Sequence, residues 1–418
     1  MTMTRPPAVV PDGQSPDPGG QGGPRVAGIP VRITTGGYLL GVLAAGFSAL
    51  TLPDFAPGWS DLSYLLATAA VVVILLVSLL GHELAHAVVA RRYGGSAVAA
   101  IGFFGGLSHG RAHLPSARAQ WRVAAAGPAF SLLLAGLSLA AVVGLSRLGA
   151  LPEAVAAAAV WINGLLAVAN LVPGAGLDGG RIVRALAWAR SGDPTRAGLI
   201  AARFGQVTGA VLTAGGVTAV ALGHLIGIWF ALMGLLMVVA SRAQAAQVLT
   251  SAALAGLRVR DILLVGEGPV PTVRGWQSVQ EFLDGKAGAG QGTLQAHSAT
   301  TAYPVRNFDG GLQGLLTLSQ LQAVPPARRE TTRLSQVATP VGQVVISTPD
   351  EPLTELRSRL AVRPTSPAAL HTAGHALVLG ADGELAGLIT PADFVRAAQF
   401  GALRPRMAAT DPLERDCG

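Results

Sequence analysis

The chain has 418 residues, half of them hydrophobic and only 13% charged, with a mean hydropathy of +0.49 and a net charge of +7. A soluble globular protein carries about 25% charged residues, so a wholly soluble fold is excluded, and the single cysteine, Cys417, excludes an intrachain disulfide or a multi-cysteine metal site. The positive charge is almost all arginine, with Lys286 the one lysine, and it clusters just beyond apolar runs, a mark of membrane topology rather than of a nucleic-acid partner.

Residues 1–33 are rich in Pro and Gly and poor in apolar side chains, and they read as a disordered cytoplasmic tail with no signal peptide. Six membrane segments follow within a domain of residues 34–250. They are expected near Gly37–Leu52, Leu62–Ala90, Trp121–Leu145, Ala154–Val172, Phe204–Leu222 and Leu225–Ala240. Arginine-rich and arginine-poor connections alternate. Arg5, Arg25 and Arg32 precede the first segment, and Pro53–Asp61 has no Lys or Arg. Arg91, Arg92, Arg111, Arg118 and Arg122 follow the second, and Arg147 stands alone after the third. Arg181, Arg184, Arg190, Arg196 and Arg203 follow the fourth, and Arg242 the sixth. The alternation predicts a multi-pass protein of the cell membrane with both termini cytoplasmic. Ala97–His113, with Gly102, Gly105 and Gly106, is too short and polar to span and is expected as a re-entrant loop or strand pair.

The second segment carries His82-Glu83-Leu84-Ala85-His86. On a helix, positions i and i+4 share a face, so the two imidazoles can grip one metal ion while Glu83 polarises a water. Such polar groups inside a bilayer helix are expensive and usually functional; a polar helix end at the headgroups is the bland alternative. A catalytic zinc needs a third protein ligand. Between Glu83 and Asp193 the acidic residues are Glu153 and Asp178, and the topology puts Glu153 across the membrane. Asp178 is therefore the expected third ligand, turned inward by the Gly and Pro residues around it; a solvated aspartate in a helix-ending loop is the alternative. Asn170 is either a helix-end residue or an amide that bonds an extended peptide. His109 and His113 are also four apart, but Gly110 and Pro115 make ordinary loop histidines the simpler reading.

At these residues the chain resembles the site-2 protease family of intramembrane zinc metalloproteases. The matching elements are His82–His86, Gly127-Pro128 and Asn170…Pro173…Leu177-Asp178-Gly179-Gly180-Arg181, and they cover about residues 36–245. The resemblance implies one zinc on His82, His86 and Asp178, water activation by Glu83, and substrate binding by Asn170. It also implies single-span membrane protein substrates, such as anti-sigma factors. Two positions depart from the family pattern: Gly174-Ala175-Gly176 stands where a second proline is frequent, and Ser131 where asparagine is frequent.

Residues 256–404 read as two similar units. Tyr303-Pro304-Val305 and Gly314-Leu315-Leu316-Thr317 match Ala376-Leu377-Val378 and Gly387-Leu388-Ile389-Thr390. The pattern is similar to a tandem pair of cystathionine-β-synthase (CBS) domains. That resemblance implies a regulatory module that takes an adenine nucleotide, with Thr390 and Asp393 on phosphate and ribose, or one that pairs with a second copy. Helix capping by Thr390 and Asp393 is the alternative. Residues 405–418 read as a flexible tail. The expected fold is thus a polytopic α-helical membrane protein with a C-terminal α/β domain. The rival functions are a transporter with a CBS module, which an inverted repeat would favour, and an inactive relative, against which Glu83 argues.

Overall fold

The computed structural model describes residues 24–94, 99–101, 114–263, 270–288, 302–361 and 367–403. Six of its helices are long and apolar enough to cross a membrane. They are α1 (Thr35–Phe55), α2 (Asp61–Arg91), α3 (Ala117–Leu145), α4 (Ala150–Leu171), α6 (Pro194–Ala221) and α7 (Gly227–Leu254), with the shorter α5 (Asp178–Ser191) between α4 and α6. Each apolar segment read from the sequence lies on one of the six. Several extend further, because helix ends continue past the apolar stretch into polar sequence. α6 starts ten residues before Phe204, where Asp193 Oδ1 accepts from the Thr195 and Arg196 amides and Pro194 occupies the first turn. α7 runs well past Ala240, to Leu254.

Burial is inverted relative to a soluble bundle. Large apolar side chains such as Phe47, Leu50, Val143 and Trp161 point outward. The interior holds small or polar residues: Ala67, Ser78, His82 and His86 on α2, and Ala119, Val123, Gly127 and Ser131 on α3. Lipid solvates the outer face, and small residues let backbones approach closely inside. α6 and α7 are the tightest pair. A methyl on Gly209 would lie 2.7 Å from the Gly234 carbonyl oxygen, and one on Gly216 would overlap the Ala231 amide nitrogen.

Three short strands cover the end of α2. β1 (Arg25–Val26) pairs antiparallel with β2 (Ile29–Ile33), which pairs parallel with β3 (Ala99–Ile101). Residues 25–33, expected within the tail, are therefore structured. Ile29 and Val31 bury against Leu80, Leu84 and Ala87, all on α2. Arg91 donates to the carbonyls of Ala27 and Gly28 at 3.0 and 3.4 Å. Ala99–Ile101 is a strand, paired with β2; residues 102–113, with His109 and His113, lie outside the described residues, and with them most of the stretch expected as a re-entrant loop or strand pair.

The C-terminal half contains two small sheets. The first is β4 (Val273–Arg274), β5 (Ala302–Arg306), β6 (Leu312–Thr317) and β7 (Thr339–Pro340) in sequence order. The second is β8 (Val345–Ser347), β9 (Ala376–Leu379) and β10 (Leu385–Ile389), also in order. In each, a parallel pair precedes an antiparallel hairpin. Val305 pairs with Gly314 as Val378 pairs with Gly387, and the register shifts at the same place. The duplication read from the sequence is thus a duplication of register. Ala302, Leu315, Val344 and Leu377 form a core shared by the two units.

Candidate metal centre

Spacing explains how two helices build one site. On α2, Ser78, His82 and His86 stand four apart and share the buried face. On α3, Val123, Gly127 and Ser131 do the same. The two faces meet. His82 Nδ1 lies 2.9 Å from Ser131 Oγ, and His86 Nδ1 donates to the Val123 carbonyl at 2.7 Å. Gly127 sits between these contacts. A methyl there would overlap His86 Nε2 and lie 2.5 Å from His82 Nε2.

Asp178 comes from a third direction, at the first turn of α5. The preceding loop folds back over that turn. A methyl on Gly179 would overlap the Leu171 carbonyl oxygen, and one on Gly180 the Gly174 carbonyl oxygen. Two consecutive glycines are what this close approach requires. Asp178 Oδ2 lies 3.1 Å from His82 Nε2 and 3.0 Å from His86 Nε2, while Oδ1 lies 3.4 Å from Arg181 Nη1. All three residues are nearly inaccessible, at 2%, 3% and 4% exposure.

The donor set fits a divalent cation. A carbonyl can only accept, so the Val123 bond puts the proton of a neutral His86 on Nδ1 and leaves Nε2 with its lone pair. That lone pair faces a carboxylate oxygen at hydrogen-bond distance, an arrangement that needs a positive species between them. Two imidazole nitrogens and one carboxylate oxygen lie within 4.8 Å of one another, and His₂-carboxylate is a zinc donor set. The remaining ring nitrogens are held by Ser131 and Val123, which fixes both rings as ligating histidines require.

Glu83 occupies the next position after His82 and is half-buried. Asn170 is half-buried near the end of α4, where its Nδ2 donates to the Leu166 carbonyl at 2.9 Å. Thr390 and Asp393 lie far along the chain in the second small unit. Asp393 Oδ2 accepts from both the amide and the hydroxyl of Thr390, each at 2.8 Å. This is the capping arrangement weighed as the alternative for that pair. In the first unit Gln320 bonds Thr317 in the same way.

A sequence comparison decides the family. Over 377 residues the chain is 38% identical to the Mycobacterium tuberculosis protein named "Putative zinc metalloprotease Rip3", covering 89% of this chain and 91% of that one. The chain belongs to peptidase family M50. The family model itself matches residues 147–213, which span α4, α5 and much of α6. Among solved structures, the site-2 protease from Methanocaldococcus jannaschii aligns at 22% identity, covering 53% of this chain and 93% of that chain, with a TM-score of 0.37. A CBS-domain containing protein from Agrobacterium tumefaciens aligns at 26% identity, covering 34% of this chain and 96% of that chain, with a TM-score of 0.27. The protein is an intramembrane zinc metalloprotease whose C-terminal half is a tandem of two sheet units.

Several contacts around this cluster escape the sequence reading. In the sequence Ser131 stands out only as a departure from the family pattern, and Arg181 only as a topology charge and the end of a matching motif. The signal that finds Ser131 is its spacing of four from Gly127 and eight from Val123. Gly127 supplies a direct test. Gly127→Ala forces a methyl into both imidazoles, so zinc affinity is expected to fall by roughly 10–100-fold, the range for disturbed ligand support, and zinc content after exhaustive dialysis against a chelator to fall with it. Metal analysis beside wild type checks this; full zinc occupancy would mean that the rings stand elsewhere.

Proposed function

We propose that His82, His86 and Asp178 hold the zinc of this protease and that Glu83 is its general base. The convergence of the three donors, with Glu83 on the same helix, is the observation that supports this reading. Zinc bound there supplies Lewis acidity to a water and to the scissile carbonyl. Glu83 accepts the proton of that water and delivers it to the leaving amine. Ser131 and the Val123 carbonyl keep the imidazoles aimed, and Arg181 holds the second oxygen of Asp178. Asn170, whose Nδ2 is already bonded to Leu166, offers Oδ1 to an N–H of an extended substrate.

The substrates are single-span membrane proteins, unwound locally because a helix hides its own carbonyls; anti-sigma factors are such proteins. The test is trapping in the native cell: Glu83→Gln should accumulate uncut single-span proteins, and accumulation of none overturns the reading. The domain limits follow the sequence reading, with the protease in residues 34–250 and the CBS pair in 256–404.

Orientation follows from the arginines, with both termini on the cytoplasmic face of the cell membrane. His82 and His86 then lie about 8–14 Å from the cytoplasmic end of α2, at 1.5 Å per residue. Reporters fused after Asp54, Ser116, Gly149 and Gly256 should read outside, inside, outside and inside. An outside signal at Gly256 would reverse the assignment.

The CBS pair regulates the membrane half through an adenine nucleotide held partly by Thr390 and Asp393. Asp393 shares its carboxylate between the Thr390 cap and a ribose hydroxyl. Titrating the full chain with ATP, ADP and AMP, beside Asp393→Ala, is the check. No binding at millimolar concentration would leave docking or pairing of two copies as the role of the module.

A further inference from the structure

α7 is one helix from Gly227 to Leu254, and it touches the loop that leads into Asp178. Met237, 8% exposed, packs on Gly174, where a methyl would stand 2.9 Å from its Sδ and 3.0 Å from its Cε. One turn later the fully buried Ser241 faces Gly205 of α6. A methyl on Gly205 would overlap Ser241 Oγ and lie 3.2 Å from the Ala175 amide nitrogen. Gly174 in turn supports Asp178. Its carbonyl accepts from the Leu177 amide at 3.3 Å and lies hard against Gly180.

The far end of α7 belongs to the second CBS unit. Leu254 shares one core with Leu257, Leu353, Val378 and Ile389. Arg357 donates to Ser251 Oγ at 2.6 Å. The last helix, Pro391–Leu403, leaves no room, since a methyl on Gly401 would overlap the Ala253 carbonyl oxygen. From Met237 to Ala253 the helix runs about 24 Å, and no Gly or Pro interrupts positions 238–253. Kinks arise mainly at such interruptions, so this length of helix moves as a body.

We propose that Met237 is a positioning residue for Asp178, and that α7 transmits the stance of the second CBS unit to it. A tilt imposed where Gly401 meets Ala253 shifts Met237 against Gly174, and the Gly174 carbonyl moves the first turn of α5. The inference rests on Asp178 being a zinc ligand. It gives the CBS pair a mechanical route to the metal that does not depend on which ligand the pair takes.

A double-mutant cycle on the full chain tests it, using wild type, Met237→Ala, Gly401→Ala and the double variant. The readouts are the rate of zinc transfer to a chromophoric chelator and hydrogen exchange of the amides of residues 172–182. Met237→Ala should speed zinc release about tenfold, in the range seen when ligand support is lost, and Met237→Leu should return it close to wild type. Gly401→Ala should change both readouts in the wild-type background and neither in the Met237→Ala background. Sites this far apart add when they are independent, so additive effects, or no effect of Gly401→Ala, would overturn the proposal. Exchange protection of β9 and β10 reports whether the CBS unit stays folded. If Gly401→Ala unfolds it, Arg357→Ala, which removes the Ser251 bond without adding atoms, takes its place in the cycle. Wild-type protein that binds no zinc would instead sink the reading of the site itself.

Discussion

Glu83→Gln is expected to keep the zinc and lose the cleavage. The side chain stands between the two histidines in sequence, but it is outside the group of donors that converge on one point. Glutamine preserves its size, and its amide cannot take a proton from water. General-base contributions run to about 10²–10⁴-fold, and the rate of a single turnover on a membrane substrate should fall by that much. Zinc per chain should stay near the wild-type value, because His82, His86 and Asp178 are untouched. Near-normal turnover would remove Glu83 from the mechanism. Lost zinc would instead make Glu83 part of the structure that holds the metal, and the drop in rate would then say nothing about proton transfer.

The six spans were legible because a run of apolar residues about 20 long has few other uses. Their ends were less so. Asp193-Pro194 is a readable helix start, yet hydropathy put the fifth segment ten residues later, since the first turns of α6 carry Arg196 and Arg203. α5 was hidden for a similar reason. Its first turn is Asp178-Gly179-Gly180, which local propensity reads as a loop, and its helical state depends on the fold-back of Leu171–Gly174 over those glycines. β2 was missed because five residues in a Pro- and Gly-rich stretch carry little pattern of their own; Ile29 and Val31 become a strand by burial on α2.

The candidate site was legible where its residues announce chemistry, as His82, Glu83 and His86 do. Asp178 was reached by elimination and then by resemblance, and it lies 3.0–3.1 Å from both imidazoles. The support around it was hidden. A glycine packed against two rings, a serine under one and a backbone carbonyl under the other are ordinary residues until the helix pairing is known. The same holds for Met237, whose place on Gly174 depends on how α6 and α7 cross.

Asp178→Ala should cost the site more than one ligand. With the carboxylate gone, two imidazole nitrogens remain where a catalytic zinc takes three protein ligands. Arg181, 3.4 Å from Asp178 Oδ1 and with 22% of its side chain exposed, also loses one of the negative charges beside it. Its guanidinium then repels a divalent cation at short range, in a setting where water screens it poorly. Both changes act in one direction, so zinc per chain after dialysis should drop from about one to below about a tenth. The two contributions can be separated. Asp178→Ala with Arg181→Met removes the repulsion but not the ligand deficit, and it should recover part of the zinc affinity without restoring cleavage. Asp178→Asn keeps the shape, lacks the charge, and should fall between wild type and alanine. Metal analysis of the set, beside cleavage of a membrane substrate, reads the outcome. Wild-type zinc and activity in Asp178→Ala would take Asp178 out of the site, and the third ligand would then have to come from elsewhere in the chain.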